Sequence, residues 1–81
     1  MTAIINETQA IELARQEAAA REYRIGSADP AVIRKERHMR LDRNSSGWLI
    51  VFDLDVPRGL EPNSVMIEVY DDGRVFTPDH L

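Results

Sequence analysis

Gly47, Trp48, Leu49, Ile50, Val51 and Phe52, then Val65, Met66, Ile67, Glu68, Val69 and Tyr70, then Asp71, Asp72, Gly73, Arg74 and Val75, decide the fold of this chain. The first run is apolar at every position after Gly47. Trp48, Ile50, Phe52 and Leu54 fall on one side of a strand, and Leu49 and Val51 on the other. A strand greasy on both faces belongs in the middle of a sheet. In the second run Val65, Ile67 and Val69 alternate with Met66, Glu68 and Tyr70, which is the pattern of a strand with one face inward. Asp72-Gly73 suits a type I′ turn with positive φ at both central residues, so a short last strand from Arg74 to Thr77 pairs back before Pro78.

Working toward the amino end, Asn44, Ser45, Ser46 and Gly47 read as a hairpin connection. A strand from about Lys35 to Asp42 precedes it, with Met39 and Leu41 alternating inward, and it is expected to be an outer strand with a wet face. Residues 27–36 allow two conformations. Asp29-Pro30 favours one short helical turn, with Pro at the first helical position, whereas an extended path would drop Val32 or Ile33 into the core. The turn is the preferred expectation. Further back, Asn6 is placed as a helix N-cap, with Gln9 as its capping-box partner and Ile5 available as a staple against Ala10. The helix it opens runs to about Glu22 through Ala, Glu, Gln and Arg, all good helix formers. Ile11, Leu13, Ala14 and Ala18 share one side of it, and Gly26 is the expected terminator.

The fold class that follows is α+β: one N-terminal helix packed on a three- to four-stranded antiparallel meander sheet, forming a single domain over residues 1–81. One helix shields one sheet face, expected to carry Trp48, Ile50 and Phe52. The opposite face presents Leu49, Val51, Met66 and Tyr70. Two outcomes stay open for that face. It is an interface, because exposed apolar clusters mark contact sites, or residues 23–34, with Tyr23, Ile25, Val32 and Ile33, fold across and bury it.

Composition narrows the possible activities. The 81 residues contain no cysteine, which excludes disulfides and thiolate metal sites. No charged leader precedes the first apolar residues, and Asn6 and Glu7 interrupt them, so a cytoplasmic location without a membrane span is expected. Residues 1–43 carry eight bases against seven acids, and residues 44–81 carry two bases, Arg58 and Arg74, against seven acids. The carboxyl half therefore repels phosphate and attracts a basic partner.

No residue pattern carries chemistry. Asp53, Asp55, Asp71 and Asp72 supply oxygens suited to a divalent cation, but no glycine-bearing loop spaces them as ligands, and solvated or turn carboxylates explain them. His38 and His80 lack convergent partners, and Ser27, Ser45, Ser46 and Ser64 sit in turn contexts without a nucleophile motif. The basic stretch Arg34, Lys35, Arg37, Arg40 and Arg43 contains no aromatic residue for base stacking, so salt bridging within the chain is expected over nucleic-acid binding. Trp48 is expected to anchor the core. Neither a cofactor nor a catalytic residue is assigned.

The helix with Ala10, Ile11 and Ala14, the strand with Gly47, Trp48, Ile50 and Phe52, and the hairpin with Ile67, Val69, Gly73 and Val75 together resemble small bacterial immunity-type and PepSY-like (cystatin-like) domains. The resemblance implies a protein that binds and blocks a toxin domain, and it carries over no catalytic residues. The expected function is thus protein binding, with a basic protein or a second copy of the chain as partner. Candidate partner contacts are Asp53, Asp55, Leu60, Glu61, Tyr70, Asp71 and Asp72, and the candidate sheet-face interface is Leu49, Val51, Met66 and Tyr70.

Overall fold

The computed structural model describes residues 5–27, 29–37, 39–57, 59 and 63–78. Helix α1 spans Glu7–Ala20, and strands β1 (Ala31–Lys35), β2 (Gly47–Asp53), β3 (Ser64–Tyr70) and β4 (Val75–Phe76) follow. The strands form one antiparallel sheet in the order β1-β2-β3-β4. The expected α+β meander with four strands is the observed architecture.

Both halves of the capping box are present. Asn6 Oδ1 accepts from the Gln9 N–H at 2.8 Å, and the Asn6 N–H donates to Gln9 Oε1 at 3.0 Å. The helix ends earlier than Gly26, by a different device. Glu22 adopts φ 60°, the Tyr23 N–H donates to the Ala18 carbonyl, and the Glu22 N–H donates to the Ala19 carbonyl. This is a Schellman cap whose left-handed position holds Glu instead of the favoured Gly. Ala10, Ala14 and Ala18 are fully buried on the helix face that meets the sheet. With only methyl groups at those positions, the helix backbone lies close to the strands, as the small-residue stripe required.

Beneath α1 lie Ile50 and Phe52 of β2 and Val65, Ile67 and Val69 of β3, all buried, with Trp48 half-buried beside them. The Trp48 indole N–H donates to the Ile5 carbonyl at 2.8 Å, tying the helix entry to β2. Tyr23, Ile25 and Val32 pack against this same core. They therefore add to the helix side of the sheet and not to its opposite face.

Three local expectations are corrected. The first strand is Ala31–Lys35, not Lys35–Asp42, and no helical turn follows Pro30. Val32 and Ile33 are β-branched, and Pro30 immediately before an edge strand costs no ladder hydrogen bond. These outweigh the helix-start signal of Asp29-Pro30. The connection from β1 to β2 is a long loop. Within it Met39 is buried, as expected, but Leu41 is 54% exposed. Finally, the β3–β4 turn has positive φ at Gly73 alone (95°), with the Gly73 N–H donating to the Tyr70 carbonyl. That is a type I turn over Asp71 and Asp72 closed by a left-handed glycine, which needs one positive φ where type I′ needs two.

Candidate functional site

The sheet register assigns the face opposite α1. Leu49 pairs with Ile33 on one side and Glu68 on the other, Val51 with Ala31 and Met66, Gly47 with Lys35 and Tyr70, and Asp53 with Ser64. Phe76 pairs with Glu68 and extends this face onto β4. Directly opposed residues share a face, so the open face reads Ala31, Ile33 and Lys35 on β1, Leu49 and Val51 on β2, and Met66 on β3. Its apolar members Leu49, Val51 and Met66 are half-buried, and Ile33 is 49% exposed.

One end of this face is closed by the β1–β2 loop. Gly47 is buried, and an added Cβ would meet Met39 Cε at 2.8 Å and Tyr70 Cα at 2.9 Å. Met39 thus sits on the glycine, which leaves it room by lacking a side chain. The loop is then bonded down. The Leu41 N–H donates to Tyr70 Oη at 2.8 Å, the Tyr70 O–H donates to Glu68 Oε1 at 2.9 Å, and the Arg40 N–H donates to the same oxygen at 3.2 Å. Arg40 Nε lies 3.5 Å from Glu68 Oε2, so the buried carboxylate has a cation as well. Burial raises the Tyr70 hydroxyl above its usual range, and the Glu68 carboxylate raises it further against the opposing Leu41 hydrogen bond.

A second feature lies at the same end, a polar cleft of about 350 Å³ lined by residues including Arg34, Ser45, Ser46, Asp71 and Asp72. Arg34 grips Asp71 with both arms of its guanidinium at 2.8 Å each. It also stacks over Trp48, 5.0 Å from the ring centroid. The Ser46 hydroxyl donates to Asp71 as well. The Arg34 bond is the main reason that the Asp71 carboxyl lies below the usual carboxylate range, with Ser46 adding to it against burial. Asp72 is held by Arg74 at 2.7 Å. The charged groups lining the cleft are therefore spent on one another.

The described residues among those singled out from sequence fall in separate places. Asp53 and Asp55 are exposed at the far end of β2. Asp71 and Asp72 lie past the opposite end of the sheet, so the four aspartates do not converge on a cation. Among the described residues, no group of three or more His, Cys, Asp or Glu could hold a metal ion. Tyr70 is fully buried. Its assignment as an exposed anchor is corrected, because the Met39–Leu41 segment covers it. Asp71 is half-buried and locked to Arg34, which also removes it from the free carboxylates. Leu60, Glu61, His38 and His80 lie outside the described residues. Leu49, Val51 and Met66 do share the open face as expected. Sequence reasoning missed Ile33 and Phe76, and the missing signal was the β1 register: once Ala31–Lys35 is a strand, Ile33 falls beside Leu49.

No protein-family model, curated protein or solved structure matches this chain. Among the described residues, no helix is long and apolar enough to cross a membrane.

Proposed function

We propose that this chain is a non-enzymatic protein-binding module whose contact surface is the sheet face opposite α1. One observation carries the proposal: Ile33, Leu49, Val51 and Met66 form an apolar band that no described element covers, on a sheet whose other face is sealed. An apolar band flanked by charges is the anatomy of a protein contact, with an apolar centre and a polar rim. The resemblance to immunity-type domains supports the same class of activity, a cytoplasmic protein that occludes a toxin domain. Asp53 and Asp55 would then meet basic groups of the partner. The polar cleft does not favour an enzyme, since Arg34, Asp71, Asp72 and Arg74 are paired internally.

Because the chain has no cysteine, single thiols report cleanly on this surface. Ile33→Cys on the band and Gln16→Cys on the exposed side of α1 are to be labelled with a maleimide, in the native host and as dilute purified protein. The expected result is several-fold slower labelling of Ile33→Cys in cells, relative to Gln16→Cys, than in dilute solution. An unchanged ratio between the two settings would sink the proposal.

A further inference from the structure

The charges at the two ends of the open face have opposite sign once the ion pairs within the chain are taken out. At the Gly47 end, Asp71 is taken by Arg34, Asp72 by Arg74, and Arg40 by Glu68. The Asp42 side chain accepts from the Asn44 N–H and the Ser45 hydroxyl, which fold the loop. Lys35, Arg37 and Arg43 remain there with no ion pair among the described residues. Against them stand Asp42, which keeps its charge, and the exposed Glu36, which shares Arg34 with Asp71, so this end is net positive by one. At the Asp53 end, Asp29, Asp53 and Asp55 are exposed and likewise without one. Arg24, whose carbonyl accepts from the Asp55 N–H, offsets one of these three acids. The two ends are separated by the length of β2, roughly 20 Å at ~3.3 Å per residue. Between them lies the apolar band.

A surface that is basic at one end, apolar in the middle and acidic at the other complements itself. A two-fold axis in the plane of the face, perpendicular to the strands, lays β1 over β1 and β2 over β2 with their directions reversed. That rotation sets the Lys35 end of one copy on the Asp53 end of the other and stacks the two apolar bands. The result is an isologous, face-to-face pair of sheets. We infer that the partner of this face is a second copy of the chain, docked antiparallel, with Lys35 of each copy set against the acidic end of the other, where Asp29 precedes β1 and Asp53 ends the neighbouring β2. This inference rests on the reading of the open face as a protein contact.

The geometry also sets the strength. Strands of five, seven, seven and two residues spaced ~4.8 Å apart present at most roughly 300 Å² per copy, and the β1–β2 loop takes up one end of that. That is well under half of the ~800 Å² per partner of a standard interface. A small face of this kind supports a weak, exchanging dimer. Its charge pairs sit on the rim in water and are screened by salt.

Sedimentation equilibrium of the full chain from ~20 µM to ~1 mM, in low and high salt, tests this, alongside amide shifts followed on dilution. The expected result is a monomer–dimer equilibrium that weakens several-fold in high salt, with dilution shifts concentrated at Ile33, Leu49, Val51 and Met66. Lys35→Asp and Asp53→Lys should each weaken association by about tenfold, and the doubly reversed variant should return to within about threefold of the wild type. Both side chains reach solvent, and thermal melts of the variants confirm that they fold. A chain that stays monomeric at ~1 mM overturns the inference. So do shifts confined to α1 or the outer edge of β1, and a double variant no better than the singles. A monomer in vitro whose Ile33→Cys is still protected in cells would overturn the second copy as partner while leaving the protein-binding function standing.

Discussion

Gly47→Ala probes how tightly the β1–β2 loop closes one end of the sheet. The glycine needs no unusual backbone angle, so the penalty is steric. A methyl group there would run into the Val69 carbonyl oxygen, Met39 Cε and Tyr70 Cα. These obstacles differ in kind: the Met39 tip swings aside cheaply, but the Val69 oxygen and Tyr70 Cα are backbone atoms of β3, locked in the ladder with β2. Overpacking of this sort costs ~1–3 kcal/mol, and a backbone obstacle argues for the upper half of that range. Replacing a strand glycine with alanine returns ~0.5–1 kcal/mol. The net expectation is a loss of about 2 kcal/mol, which lowers Tm by roughly 8–16 °C in a domain of this size. Urea and thermal unfolding followed by circular dichroism measure it, and the cycle with Met39→Ala apportions it. Met39→Ala alone should cost ~2–5 kcal/mol as a buried truncation, and it should recover only a minor part of the Gly47→Ala loss. A Gly47→Ala variant within ~0.5 kcal/mol of the wild type would refute the close approach of β2 to β3. Full rescue by Met39→Ala would assign the crowding to the side chain instead of the backbone.

Glu22→Gly should stabilise the chain by ~1 kcal/mol, read as a higher urea midpoint, because the left-handed cap position penalises any residue with a Cβ; a destabilised variant would refute the cap assignment. Asp71 has a folded pKa below its usual 3.8, so its contribution is present above about pH 4 and lost as pH falls through the folded value. Asp71→Asn should therefore flatten the acid limb of the stability–pH curve below pH 4, and an unchanged slope there would show that the Arg34 grip contributes nothing to the fold.

Strong, local signals carried over from sequence to structure. The Asn6–Gln9 capping box, the Ala10/Ala14/Ala18 stripe and the two-faced apolar strand at Trp48–Phe52 each depend on residues a few positions apart, and each appears where its spacing put it. The failures have one common cause, which is long-range competition. Val32 and Ile33 carry a weak strand preference that becomes decisive only when β2 offers its free edge, and no nearby residue announces that edge. Gly26 looked like a helix stop by composition, while Glu22 bears the left-handed geometry because Tyr23 must turn back into the core. Tyr70 shows the same effect at the candidate site. Its alternation with Met66 and Glu68 correctly placed it opposite the helix, but alternation says nothing about what lies above a face.

That distinction separates the two halves of the open face. Where the β1–β2 loop returns over Gly47, a glycine, a methionine and the Glu68–Tyr70–Leu41 chain of hydrogen bonds convert potential interface into core. Beyond the loop's reach, Ile33, Leu49, Val51 and Met66 have the same strand geometry and the same apolar chemistry but no lid among the described residues. The loop also carries Arg37 and Arg43, so the segment that covers half of the face supplies the positive rim for the other half. Its cover and its charge are consequences of one chain path. A change that lifted the loop would therefore enlarge the apolar band and displace the basic end together, and the salt dependence of any contact made by this face would change with it.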